Sequence, residues 1–515
     1  MAGEAGTLPL PGAPLEDGAA GARRAVGRRR TRPLTGERAS TLRCAAALGA
    51  IVLLSLFVVI VTADRPSGLA PTSHIGYFPR WMAGPLEGLW PGLTRNGNDL
   101  RYMFTAAILA MYGCYLLVLR NATRVSARWV IAAIVTVHVI FVLAPPMALT
   151  DVFNYINYGR MEVVDHLNPY TTIPIVEPHS DPSFALSNWH ELLSPYGPLF
   201  TMLTFAVVPL GVAGSFWVLK GLLVLSSLAI MLLVWQCARL LGREPRAAIA
   251  LVGLNPIVLV WGLGGDHNDF LMMLLIMLAV YMLLAGTGRR AVWEGPVRRL
   301  RSWLLPLAPL DIGAGAALVT ATALKASAAV LIPIVLAGML RNRRSVAQLV
   351  LGMVTMGLLL GLASLYAFGL HIPDLSTQSS LVTPESLPNL LGLAVGAGGE
   401  TETLHVVMDL VLASALILCA RLAYVRRDPV TACGWASMAL LATLSWVLPW
   451  YVLWVLPLAA LSSSVRLRRS AMVFGVYLII AWAPASGLLW NAIGFEPEHT
   501  AIGRLHQRSV RELLN

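Results

Sequence analysis

Apolar runs of span length recur along almost the whole chain, and short Arg-bearing stretches separate them. Each is close to the roughly 20 residues a helix needs to cross a hydrocarbon core. Barrel strands would alternate apolar and polar residues instead of running continuously apolar. The pattern therefore implies an all-α polytopic membrane protein. Composition agrees: of 515 residues 57% are hydrophobic and 13% charged, with a mean hydropathy of +0.69. In a soluble chain the net charge of +11 would suggest nucleic acid. Here the Arg residues sit in short loops between spans, as topogenic cytoplasmic charge does, so no nucleic-acid partner is expected. The five cysteines, Cys44, Cys114, Cys237, Cys419 and Cys433, fall in or beside apolar runs without a C-x-x-C spacing. They read as small buried hydrophobes and not as a disulfide framework or metal site.

Charge sets the order of the spans. Residues 1–40 are rich in Gly, Ala, Pro and Arg and read as a disordered cytoplasmic tail. The tail is longer than a cleaved signal peptide, and the run after it is of full span length. Spans at 44–63, 102–119 and 129–149 then alternate, with Arg120, Arg124 and Arg128 marking an inner turn. Outer loops fall at 64–100, 150–197 and 371–404, within a membrane domain of residues 41–490, and a C-terminal tail covers 491–515. The runs at 199–212 and 216–240 lack a polar turn between them, yet Arg239, Arg243 and Arg246 belong inside. One of the two, the shorter, is expected to be re-entrant or interfacial. The stretch 310–340 reads as a tight hairpin with Lys325 near its outer end. The expected total is about 13 spans, with no internal repeat of the kind two-fold transporters carry.

The segment 151–198 is too polar for a bilayer core, yet it carries Tyr155, Tyr158, Tyr170, Trp189 and Tyr196. Aromatics mixed with carboxylates, His and amides suit the membrane–water boundary. Asp151 stands at the mouth of the preceding span. A general base must hold a carboxylate near the reacting hydroxyl, and this position offers that setting; the bland alternative is an Asp that ends a helix. Tyr155, Arg160, Tyr170, His190 and Tyr196 are candidate substrate contacts by proximity, as is Glu191.

A second polar group, Asp266-His267-Asn268-Asp269, follows Gly264-Gly265 between two apolar runs. The glycines allow close backbone approach. Asp266, His267 and Asp269 are candidate ligands for sugar hydroxyls or partners for a second carboxylate; otherwise the group is a solvated turn capping the next helix. Lys325 is isolated among Ala, Val, Leu and Ile. An ammonium there asks for an anion, such as the phosphate of a lipid-linked donor, unless it merely snorkels to the interface. The run 446–454, WVLPWYVLW, is an aromatic interface belt or a wall for sugar rings. There is no P-loop, Rossmann fingerprint or H-E-x-x-H, and no convincing metal-ligand set, so neither cofactor nor metal is expected.

Taken together, Asp151 at the end of an early span, NPY at 168–170, SPYGPLF at 194–200, Asn255-Pro256 ahead of GGDHND at 264–269, ALKASA and LPWYVLW are similar to one known family. They resemble the actinobacterial polyprenol-phosphate-mannose-dependent α-(1→6)-mannosyltransferases, over about residues 85–490. The resemblance implies a GT-C bundle with an outer-face catalytic loop in the plasma membrane, N-terminus cytoplasmic. It implies inverting transfer of mannose from a polyprenyl-phosphate-mannose donor to a mannan or lipoglycan acceptor. Asp151 matches the acidic residue of the family's first outer loop and would take the acceptor proton. Members often pair acids in that loop; here Asn154 follows and Asp165 is the next aspartate, so a partner carboxylate is not identified. Rival readings are a GT-C transferase of another sugar, a lipid-linked glycan ligase, and a transporter.

Overall fold

In lipid the backbone must satisfy its own hydrogen bonds, and the apolar runs do so as helices. A computed structural model describes residues 34–64, 79–90, 97–147, 151–292, 309–375, 381–492 and 494, and among these no strand occurs. The helices are α1 (Leu34–Asp64), α2 (Gly97–Asn121), α3 (Ala127–Val142), α4 (Asp151–Val163), α5 (Pro198–Phe205) and α6 (Gly211–Leu240). They continue with α7 (Pro245–Gly253), α8 (Asp269–Val292), α9 (Pro309–Leu324), α10 (Ile332–Met339), α11 (Arg343–Phe368) and α12 (Leu387–Ala394). The last are α13 (Glu402–Arg426), α14 (Pro429–Thr443), α15 (Leu456–Leu461), α16 (Val465–Trp482) and α17 (Ser486–Ala492). Single helical turns occur at 80–83 and in some of the connections.

Six helices among the described residues are long and apolar enough to cross a membrane, or seven if the bent pair α16–α17 is one span. Five shorter apolar helices accompany them, so length alone does not establish the expected 13. Two helices show what surrounds the bundle. Only 17% of the apolar window of α11 and 11% of that of α13 is buried. Leu358, Leu362, Leu410 and Ile417 stand more than half exposed. Apolar surface of this extent needs a covering, and lipid supplies it for a membrane helix.

The region 199–240 takes an asymmetric form. Helix α5 has eight residues, which rise about 12 Å, too little to cross. The 30 residues of α6 are long enough for a full crossing. Lys325 stands at the bend between α9 and the 3₁₀ segment that leads to α10. At the α9–α11 contact, Gly315 sits on the Leu349 carbonyl and Gly352 on the Ile312 carbonyl. Any side chain there would meet backbone, so small residues let these helices approach closely. The arginine-bearing turns are tied to one another: Arg246 donates to the Val125 carbonyl at 3.0 Å, and Arg341 lies 4.8 Å over the Tyr424 ring.

Two segments expected as irregular are helical. Residues 34–40 extend α1 ahead of its apolar run, because Glu37, Arg38 and Ala39 are good helix formers joined to an already nucleated helix. The start of the loop 150–197 is α4, in which Val152 through Gly159 are all buried. Most of the two expected tails, and much of the loop 64–100, lie outside the described residues.

Candidate active site

Three separate stretches build one polar floor. Asn255 caps the segment after α7, its Oδ1 accepting from the Ile257 N–H at 2.9 Å, with Pro256 at the first helical position. The chain then forms a single π-helical turn, Val258–Leu263, and enters Gly264-Gly265. The Met147 N–H donates to the Gly264 carbonyl at 2.7 Å, and a Cβ on Gly264 would strike the Met147 side chain. That glycine thus draws the chain just ahead of Asp151 against the turn. Gly265 leaves the space that the His267 imidazole fills. Asp266 takes a left-handed φ of 57°, a conformation Asp tolerates better than most residues.

The outcome is contact between residues 116 positions apart. His267 Nδ1 lies 3.1 Å from Asp151 Oδ2, and since a carboxylate only accepts, the nitrogen donates. The imidazole is fully buried and stacks on Trp450 at 3.4 Å and 8°. The Asp151 carboxylate keeps 15% exposure and opens on a cavity of about 390 Å³. Tyr155, one turn along α4, accepts the Asn268 N–H at 3.3 Å and meets Tyr196 edge-on. Lys325 donates to both oxygens of Asp269 at 2.9 Å, and the Trp454 indole N–H donates to the same carboxylate at 2.5 Å. The ammonium also faces the rings of Tyr451 and Trp454 at 5.0 and 5.3 Å. Gly197 of the SPYGPLF motif makes this approach possible: its N–H donates to the Leu324 carbonyl at 3.1 Å, with no room for a side chain. Tyr196 and Lys325 therefore line the same cavity.

The cavity has a polar and an apolar part. Asp151, Lys325, Trp450 and Tyr451 contribute polar and aromatic lining, and Leu412, Leu440 and Leu444, where α13 meets α14, contribute apolar lining. Two carboxylates line it, Asp151 and Asp409. Asp151 is held by a buried imidazole, whereas Asp409 is 70% exposed and 4.0 Å from Nε2 of His405. Among the described residues no three His, Cys, Asp or Glu side chains converge as a metal ion requires.

Residues 73–341 match the family described as α-(1→6)-mannopyranosyltransferase, N-terminal domain, and residues 386–495 match the MptB C-terminal domain. The chain belongs to the α-(1→6)-mannopyranosyltransferase family. Among curated relatives, it is 25% identical over 379 residues to a probable α-(1→6)-mannopyranosyltransferase of Mycolicibacterium smegmatis, covering 67% of each chain. It is 27% identical over 366 residues to α-(1→6)-mannopyranosyltransferase A of Mycobacterium tuberculosis, covering 65% of each. A shorter match, 30% over 154 residues, joins it to the Corynebacterium glutamicum enzyme of that name over 28% of this chain and 29% of that one. The chain thus spans about two thirds of the length of the first two relatives. No solved structure matches. Membership makes the protein a membrane glycosyltransferase.

Against this family background the other candidate residues separate clearly. Asp151, Tyr155, Tyr196 and Lys325 line the cavity. His267 and Asp269 stand behind it, each bonded to a lining residue. Asp266 is fully buried and bonded through both oxygens to Lys220 at 2.9 Å, away from the cavity wall. Arg160 forks onto Asp181 at 2.8–2.9 Å beneath the loop. Tyr170 donates to the Tyr196 carbonyl at 2.8 Å, and so holds a lining residue without lining the cavity itself. His190 is buried and stacks on Phe184 at 4.0 Å, with Nε2 3.0 Å from the Phe184 carbonyl. Sequence reasoning missed Lys220, although an isolated Lys in an apolar run is the same signal that picked out Lys325. It also missed His405 and Asp409, which open a long apolar helix and look like ordinary interfacial polarity.

Proposed function

We propose that the protein transfers a mannosyl residue from a polyprenyl-phosphate-mannose donor to a mannan or lipoglycan acceptor, with inversion and in α-(1→6) linkage. The observation that carries this reading is Asp151: a carboxylate fixed by a buried imidazole, on the wall of a half-apolar cavity that also presents an ammonium. The acceptor hydroxyl attacks the anomeric carbon as the bond from that carbon to the phosphate oxygen breaks. The hydroxyl proton passes to Asp151, and the electron pair leaves with the polyprenyl phosphate. One displacement converts a β-linked donor into an α-mannoside. Lys325 offers its ammonium to the phosphate oxygens, where charge increases as the bond breaks. The leucine wall between α13 and α14 accommodates the first isoprene units, and lipid beside α13 takes the rest of the chain.

The basic turns support a cytoplasmic N-terminus with the cavity on the outer side of the plasma membrane. By the rule that Arg-rich loops stay inside, Arg120, Arg124, Arg239, Arg243, Arg341 and Arg426 mark the inner side. Mannose and the linkage are inferred from the relatives' names. Membranes containing the protein, given radiolabelled mannosyl-phosphopolyprenol and a short mannoside, should release a product that an α-(1→6)-specific mannosidase degrades. A product resistant to it, or none, would reject the reading.

A further inference from the structure

A second polar cluster lies on the wall of the same cavity. Glu400 is 3% exposed at its side chain. Its Oε1 accepts from the Ser445 hydroxyl at 2.6 Å and lies 3.1 Å from His405 Nδ1. Its Oε2 is buried with no partner among the described residues. Since Nδ1 must donate to the carboxylate, Glu400 fixes the orientation of the ring. His405 Nε2 then stands 4.0 Å from Asp409 Oδ2. That is too long for a direct hydrogen bond and is a spacing that one bridging hydroxyl group would fill.

A continuous path joins this cluster to Asp151. Asn154, on the first turn of α4 with Asp151, accepts through Oδ1 from the backbone N–H of Asn188 at 3.0 Å and of Trp189 at 3.2 Å. The Trp189 ring meets Trp446 edge-on at 6.1 Å. Trp446 follows Ser445 in the chain, and both tryptophans line the cavity. Carboxylate, imidazole and aromatic faces are the groups that bind sugars, the aromatics packing on apolar ring faces and the polar groups meeting hydroxyls. Charge separates sugar from phosphate: two carboxylates surround one imidazole, and among the described residues no lysine or arginine lines this part of the cavity.

We infer that His405 and Asp409, with Trp189 and Trp446, form a second acceptor subsite that binds the mannose next to the one being glycosylated. Glu400 and Ser445 are positioning residues that act through His405. This rests on the transfer reading above. The subsite makes the enzyme prefer an acceptor of at least two sugars, because a single mannose held at Asp151 leaves it empty.

The test compares an alkyl monomannoside with the matching α-(1→6)-dimannoside, using the purified full chain in lipid nanodiscs. The readout is the ratio of kcat/KM for the two acceptors, together with the KM for mannosyl-phosphopolyprenol. The parent should favour the dimannoside. In His405→Ala and Asp409→Asn that ratio should drop at least about ten-fold, roughly one lost sugar hydrogen bond to a charged group, while the donor KM holds. His405→Gln should recover part of the ratio by keeping a side-chain amide. A ratio unchanged in both variants would overturn the subsite, and so would a rise confined to the donor KM, which would give the cluster to the phosphate. If the parent transfers mannose to neither acceptor, it is the transfer reading that fails.

Discussion

Two lysines in this protein make the same bond and differ in what surrounds it. Lys220 and Lys325 each donate to both oxygens of an aspartate at 2.9 Å, and the two aspartates, Asp266 and Asp269, stand in one turn. The Lys220 pair is 0% exposed on both sides. In the Lys325 pair the lysine is 18% exposed and the aspartate 1%. The enclosed pair has no path to a ligand, so its work is structural: it ties α6 to the GGDHND turn and holds His267 under Asp151. The open pair turns its ammonium toward the cavity, while the anion behind it is satisfied by an indole. The identity of two charged residues therefore says less than the side from which each is reached.

The sharpest way to break this comparison is to remove one partner of the enclosed pair. Lys220→Met leaves a carboxylate buried and unpaired, which costs about 3–5 kcal/mol. Little folded protein should survive detergent extraction, judged by size-exclusion profile and thermal midpoint. Lys220→Met combined with Asp266→Asn removes both charges and keeps a residue that tolerates the left-handed turn. It should restore most of the yield, and a double variant no better than the single would refute a purely structural role.

The open pair should respond in kinetics instead. Lys325→Ala leaves Asp269 bonded to Trp454 and opens the space between that carboxylate and the cavity, so yield should fall less than in Lys220→Met. Its kcat/KM for the donor should fall about 10- to 100-fold, the range of a charge-assisted hydrogen bond of about 1.5–3 kcal/mol. Lys325→Arg should restore part of it, since a planar fork replaces a point charge imperfectly. Unchanged donor kinetics in Lys325→Ala would make the two lysines equivalent.

A smaller effect extends the comparison to the loop after α4. Burial pushes the Glu177 carboxyl up to about 8, with Asp181 and Asp165 adding to the rise. Between the ordinary value of 4.5 and about 8 the folded loop keeps a proton that the unfolded chain has released. Stability therefore falls as pH rises through that window. Glu177→Gln should raise the thermal midpoint by a few degrees at pH 8, and the gain should shrink toward zero near pH 4. A gain independent of pH would point to packing rather than ionisation.

What could be read from sequence followed from how each signal is encoded. Span-length apolar runs and Arg-rich turns are local, so the helical class and the order of most elements were legible. Asp151 and the GGDHND turn were legible as separate candidates, because polar residues at membrane depth ask for a reason. Their contact was not, since it depends on what Gly264 and Gly265 leave room for, a property of packing across 116 positions. Arg160 and His190 looked as suitable as Tyr155, being equally polar and equally near in sequence. Only the fold shows that Asp181 and Phe184 occupy them. The helix α4 was hidden by its low overall apolarity, because its amides and aromatics read as a loop at the membrane boundary.

The central claim is that Asp151 accepts the proton of the acceptor hydroxyl. Asp151→Asn keeps the size of the side chain and an oxygen that can still accept from His267 Nδ1, so the buried stack on Trp450 should persist. Single-turnover transfer by the purified variant, with donor and dimannoside both saturating, is the most direct measurement. The account predicts normal donor binding and a rate lower by at least about 100-fold, the lower end of what a positioned general base contributes. Transfer at close to the parent rate would contradict it and assign proton removal to another group on the cavity wall.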